Sequence, residues 1–182
     1  NGHAGAGLPI TPRTTAVVEY QFRPAASNVY SYGNLLDGAP AAMSGTWLSF
    51  KPDGLVGNYN AAGWNNLQGY SAGSWYKVSL VVKSPQSYDI CINDVVKASN
   101  QAMMSIGGQP SLFDGFWIHE YNAGSVANID DIRIRNYVAT EPAGTIWDMP
   151  ESNPLPVAGF SANPVSGEVP LAVQFTDLST GP

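Results

Sequence analysis

Between Thr14 and Val138 apolar and polar residues alternate with a period of two, which places successive side chains on opposite faces of an extended strand. Ala16–Phe22 sets Val18, Tyr20 and Phe22 against Val17, Glu19 and Gln21. Trp75–Val82 sets Tyr76, Val78, Leu80 and Val82 against Trp75, Lys77, Ser79 and Val81. Further strands are expected at Trp47–Phe50, Leu55–Tyr59, Tyr88–Ile92, Val95–Lys97, Phe116–Tyr121 and Ile129–Val138. Turn chemistry punctuates them. Lys51-Pro52-Asp53-Gly54 ends on a glycine that tolerates positive φ, and Asn93-Asp94 suits a two-residue hairpin loop. No segment carries a helical repeat longer than a turn or two, so the pattern predicts an all-β chain.

After Val138 the pattern breaks. Residues 139–155 hold Pro142, Pro150 and Pro154 and read as a stiff linker, within which Trp147 is expected to dock on a neighbouring domain. Residues 156–182 then offer two short runs of strand character, Val157–Ser161 and Leu171–Thr176, separated by Asn163-Pro164 and Ser166-Gly167. That is well below the roughly 40 residues a domain needs to fold without metals or disulfides. Residues 1–13 are expected to be a flexible lead-in, and the start at Asn1 fits a processed terminus.

Composition narrows the function. The 182 residues suffice for one full domain plus a fragment, and only 12% of them are charged. A net charge of −6 without a Lys/Arg cluster excludes a nucleic-acid surface. No apolar run approaches the roughly 20 residues of a membrane-spanning helix, so no membrane insertion is expected in this segment. The single cysteine, Cys91, excludes an internal disulfide and reads as a small buried strand residue. No His/Cys constellation suggests zinc, and no Asn-x-Ser/Thr sequon occurs.

Two resemblances add to this reading. Gly73-Ser74-Trp75-Tyr76-Lys77-Val78-Ser79-Leu80-Val81-Val82, Tyr88-Asp89-Ile90-Cys91-Ile92-Asn93-Asp94 and Ile129-Asp130-Asp131-Ile132-Arg133-Ile134 resemble the concanavalin A-like (laminin G-like) jelly roll over residues 14–138. The hairpin departs from that pattern, with Asn93-Asp94 where Asp-Gly is usual. Phe160-Ser161-Ala162-Asn163-Pro164, Gly167-Glu168-Val169-Pro170-Leu171 and Val173-Gln174-Phe175-Thr176-Asp177 resemble the start of a PKD (polycystic kidney disease) repeat, an immunoglobulin-like sandwich, over residues 156–182. Together they imply an extracellular, modular cell-surface protein of archaea or bacteria. The jelly-roll likeness also implies a structural Ca²⁺ at Asp130 or Asp131; the alternative is that these aspartates cap a turn or pair with Arg133 and Arg135.

The sequence offers three kinds of candidate site. Catalysis of glycan cleavage needs two carboxylates facing one cleft, about 5–5.5 Å apart in a retaining enzyme. The acidic residues here are dispersed, and His119 and Glu120, as neighbours on one strand, point to opposite faces. Sugar binding needs aromatic platforms edged by planar amides. Tyr59, Trp64 and Tyr70 with Asn65 and Asn66 supply that composition, and Trp117, His119 and Tyr121 share one face of a second candidate surface. The alternative for both sets is that the aromatics pack on the core. The third is the unfinished 156–182 segment, which is expected to continue or to pair with a neighbouring domain or subunit. The expected protein is therefore a non-catalytic structural or adhesion module of a surface or filament-forming protein, with glycan binding as a candidate activity. The alternative is a glycanase on the concanavalin A-like fold.

Overall fold

The computed structural model describes residues 4–38, 44–106, 108–121, 125–139 and 158–179. Among these residues every regular element is a strand. The first unit, Asn1–Ile146, holds β1 (Ala4–Arg13), β2 (Ala16–Pro24), β3 (Ser31–Asp37), β4 (Ser44–Gly45), β5 (Leu48–Phe50), β6 (Leu55–Asn60), β7 (Gly63–Gly69), β8 (Tyr76–Ser84), β9 (Ser87–Ile92), β10 (Val95–Ala102), β11 (Phe113–Glu120) and β12 (Ala127–Arg135). The second unit, Trp147–Pro182, holds β13 (Phe160–Asn163) and β14 (Gln174–Asp177).

The first unit is a sandwich of two antiparallel sheets. A seven-stranded sheet runs β1-β11-β3-β5-β6-β7 with β4 on β3, and a five-stranded sheet runs β10-β9-β8-β2-β12. The alternation in β2 and β8 sends Val18, Tyr20, Phe22, Tyr76, Val78, Leu80 and Val82 inward, where they meet Leu35, Leu48, Phe50, Val56, Phe113 and Phe116 of the other sheet. The Phe22 and Phe50 rings stack at 4.1 Å between centroids, and Tyr20 meets Phe116 at 5.5 Å. Each such large side chain contributes about 1.5–3 kcal/mol by leaving water. At Gly33 the sheets come closer than a side chain allows, because a Cβ there would lie 2.4 Å from the Tyr20 hydroxyl oxygen.

Local chemistry places the turns as the sequence implies. Asn93 and Asp94 take φ of 52° and 62°, the left-handed pair of a tight β9–β10 hairpin. The hairpin is tied back to β8: the Lys77 amide donates to Asn93 Oδ1 at 3.0 Å, and Lys77 Nζ meets Asp94 Oδ1 at 2.7 Å. Gly54, at φ 78°, donates its amide to the Lys51 carbonyl at 3.1 Å and closes the β5–β6 turn.

Four features differ from the expectation. Residues 4–13 are no loose lead-in but β1, an edge strand paired with β11. The small residues at its start make room for a neighbouring ring, since a Cβ on Gly7 would sit 2.7 Å from the Trp117 ring. β3 escaped because six of its seven residues are buried, which removes the alternation that marks a half-exposed strand. β7 is an Asn- and Gln-bearing strand over residues at which the pattern marks no strand. β12 ends at Arg135, and an irregularity in register between Asp130 and Arg133, with Asp131 at φ 52°, turns the two aspartates outward.

The solvent side of the five-stranded sheet is itself buried at Val17, Glu19, Ser79 and Cys91. There Arg135 reaches Glu19 Oε1 at 3.3 Å and Lys83 pairs with Asp89 at 2.5 Å. Burial pushes the Cys91 thiol up to about 11.

In the second unit β13 and β14 form a hairpin, with Phe160 and Phe175 in ring contact at 5.8 Å. Both are largely exposed, at 71% and 66%. Residues 140–157, which take in Trp147 and all but the first residue of the expected 139–155 linker, lie outside the described residues.

Candidate functional site

Strand register assembles an aromatic surface on the solvent side of the seven-stranded sheet. β11 pairs His119 with Tyr32 and Trp117 with Asn34; β3 pairs Tyr32 with Ser49; β5 pairs Ser49 with Gly57; and β6 pairs Tyr59 with Trp64 of β7. Cross-strand partners share a face. Trp117, His119, Tyr32, Tyr59, Trp64 and Asn66 therefore lie on one side, opposite the core-facing Ile118, Gly33 and Phe50.

The surface has two aromatic stations. At the first, Tyr32 contacts Tyr30 at 5.1 Å, Trp47 edge-on at 5.2 Å, His119 at 6.1 Å and Tyr121 at 6.2 Å. Tyr30 and Tyr121 also meet at 4.9 Å, and the Tyr121 amide donates to the Tyr30 carbonyl at 2.8 Å, which fixes the chain at the end of β11. Burial, and then the hydrogen bond with Tyr30, push the Tyr32 phenol far above its ordinary value, so it stays neutral. Tyr121, half-exposed at 50%, is the station's open ring.

At the second station Trp64 lies between Tyr59, at 5.0 Å, and the Lys51 ammonium, 5.2 Å from its ring centroid. Lys51 is almost wholly buried. Its nitrogen is held at 2.8 Å by Asp53 Oδ2, and that hydrogen bond and charge hold Asp53 below the usual carboxylate range. The Lys51 stem runs over Gly57, where a Cβ would come within 3.2 Å of Lys51 Cε. Trp64 is thus positioned before any ligand arrives, yet 39% of it remains exposed.

Not every residue singled out by sequence joins this surface. Tyr59, Trp64 and Asn66 do, as do Trp117, His119 and Tyr121. Tyr70 is instead a core residue: it is buried against Phe50 at 5.3 Å, and its hydroxyl donates to the Lys51 carbonyl at 2.8 Å. Asn65 faces the other way. Its amide donates to Asn58 Oδ1 at 3.1 Å, beside Gln101 of β10, bridging the rim of the two sheets. Trp117 lies flat across Gly7 of β1 and is half-buried. Asp130 and Asp131 sit together on β12, where Asp130 Oδ1 accepts the Asp131 amide at 2.9 Å. Among the described residues no three His, Cys, Asp or Glu side chains gather as a metal site.

Tyr30, Tyr32, Trp47 and Lys51 were missed. Tyr30-Ser31-Tyr32 does alternate, but a pairing across 87 residues of chain, such as Tyr32 with His119, has no local trace.

His119 and Glu120 diverge as strand alternation requires. His119 joins the aromatic station, while Glu120 turns to the core side and accepts a 2.5 Å hydrogen bond from the buried Ser31 hydroxyl. Burial raises the Glu120 carboxyl and the Ser31 hydrogen bond opposes the rise. A carboxyl raised by folding stabilises the fold below its unfolded value and loses that contribution as pH rises through its folded value. Glu120→Gln, which keeps an acceptor for Ser31, is therefore expected to raise the urea midpoint at pH 7. The gain should shrink towards pH 4, and a midpoint difference independent of pH would refute this account.

No protein-family model matches the chain, and no curated protein matches it. Solved structures do. A sialidase aligns at TM-score 0.56 and 14% identity, over 82% of this chain and 13% of its own. The sialidase of Trypanosoma rangeli, solved with sialic acid, aligns at 0.50 and 14%, over 69% of this chain and 21% of its own. A tetrameric galectin from the ball sponge Cinachyrella aligns at 0.49 and 11%, over 74% of this chain and the whole of its own. The chain thus spans about an eighth to a fifth of the length of those sialidases. At such identities the likeness shows the fold alone: an all-β jelly-roll sandwich of the concanavalin A-like type.

Proposed function

We propose that this chain is a non-catalytic, glycan-binding module of an extracellular surface protein, and that the solvent side of the seven-stranded sheet is its binding face. The observation that carries the reading is the pair of aromatic stations, Tyr30–Tyr32–Trp47–His119–Tyr121 and Tyr59–Trp64–Lys51, laid out on one side of one sheet. A pyranose offers an apolar face edged by hydroxyls, which suits an exposed ring flanked by amides and phenols. Trp64 and Tyr121 supply the open rings, and Asn66 and the tyrosine hydroxyls supply hydrogen bonds. The sialidase and galectin folds are consistent with such a role but do not assign it.

The separation of His119 from Glu120 supports binding without cleavage, because a general acid and its partner must reach one bond together. The exposed phenylalanines of the second unit support a further part of the proposal: residues 156–182 make the contact to a neighbouring domain or subunit.

The test is retention of the chain on immobilised polysaccharides and glycan arrays, with release of reducing ends followed in parallel. Retention without release is expected. Absence of retention on every glycan would sink the binding reading, and release of reducing ends would sink the non-catalytic one.

A further inference from the structure

Away from that face, on the far side of the sandwich, β2, β12 and the start of β8 border an open depression of about 350 Å³ lined by Gln21, Trp75, Asp130 and Asp131. Its position follows from register. Asp130 pairs with Gln21, and the alternation of β2 turns Gln21 and Arg23 outward while Tyr20 and Phe22 enter the core. Trp75, immediately before β8, is 43% exposed although it is among the largest apolar side chains of the chain.

The depression is built rather than incidental. Arg23 Nε and one terminal nitrogen both donate to Asn128 Oδ1, at 3.2 and 3.0 Å, which fixes the guanidinium plane. That plane lies 4.8 Å from the Trp75 ring centroid and holds the indole from one side. The irregularity in β12 does the rest. Asp131 at φ 52° and the 2.9 Å bond from its amide to Asp130 Oδ1 present two exposed carboxylates beside Gln21.

A single apolar plate thus faces one planar amide and two carboxylates in a volume near the lower end of small-molecule sites. Carboxylates and the Gln21 carbonyl accept hydrogen bonds, so the ligand must bring several donors and one apolar face. Two negative groups also disfavour an anionic ligand. We propose that this depression is a second saccharide site, which takes one neutral sugar ring with its hydroxyls on Asp130, Asp131 and Gln21 and its apolar face on Trp75. The first face runs across five strands and fits a length of glycan; this depression is lined by four residues and fits a single ring. A molecule with both can bridge two glycan chains.

The experiment separates the two faces. Binding of lactose, cellobiose, maltose and their longer homologues is followed by saturation-transfer NMR and calorimetry on four full-length chains: wild type, Trp64→Ala/Tyr121→Ala, Trp75→Ala and Gln21→Ala. The expected result is that Trp64→Ala/Tyr121→Ala loses the affinity of the first face, strongest for the longer homologues, but keeps a residual single-ring binding, and that this component weakens about tenfold in Trp75→Ala and several-fold in Gln21→Ala. Trp75 and Gln21 lie outside the core, so unchanged thermal melting checks that each variant folds. If Trp75→Ala and Gln21→Ala both bind as wild type does, the second site is wrong, and the first is decided by Trp64→Ala/Tyr121→Ala. If the longer homologues too respond to Trp75→Ala and not to Trp64→Ala/Tyr121→Ala, this site stands and the first falls. Loss of binding in EDTA, restored by calcium, would place a metal between the aspartates and the sugar and overturn the direct contact proposed here.

Discussion

Gly33→Ala is expected to lower the stability of the chain by about 2–3 kcal/mol, read as a fall in denaturation midpoint at unchanged slope. The added methyl would lie 2.4 Å from the Tyr20 hydroxyl oxygen and 2.6 Å from the adjoining ring carbon. Tyr20 has nowhere to move, being 1% exposed and packed on Phe116. In a chain of this size the loss corresponds to roughly 5–10 °C in melting temperature. Tyr20→Leu is destabilising in its own right because it removes a buried ring, but it also vacates the space that the methyl needs. The double variant should therefore cost less than the sum of the two single ones. Strict additivity would mean that the clash is relieved elsewhere.

The second large effect is on binding. Trp64→Ala and Tyr121→Ala should each weaken retention of a long glycan about tenfold, and together about a hundredfold. Trp64 and Tyr121 lie four strand-to-strand steps apart, from the end of β11 across β3, β5 and β6 to β7, or roughly 19 Å at the usual strand spacing. Groups so far apart share no neighbours, so their losses should add. A disaccharide cannot reach both and should respond to one variant only. Both side chains are substantially exposed, at 39% and 50%, so melting should change little. Wild-type affinity in the double variant would remove the proposed face.

The contrast between these two predictions reflects what the sequence made legible. The period-two pattern of β2 and β8 identified the core residues because one face of each is apolar throughout. The Asn93-Asp94 hairpin was readable because few residue pairs accept positive φ twice. β3 was not readable, since a strand covered on both sides shows no alternation, and with it went Tyr32, the centre of the first station. Tyr70 and Trp64 looked equivalent as aromatics in one Asn-rich stretch. They are separated only by tertiary context: Trp64 lies on the solvent side of β7, while Tyr70 lies past the strand's end, turned onto Phe50. Asn65 and Asn66 differ by one residue and so face opposite sides of the strand, a distinction that requires the register to be known.

Cys91 makes the protein its own reporter of opening. The thiol is 3% exposed on β9, between β10 and β8 of the five-stranded sheet, and is held in the protonated form by its surroundings. Alkylating reagents act on an exposed thiolate, so the native molecule should resist them and label only when this covered face of the sheet opens. The labelling rate in increasing urea then measures how often this sheet opens. With a single cysteine in the chain, the signal belongs to one place and needs no engineered probe.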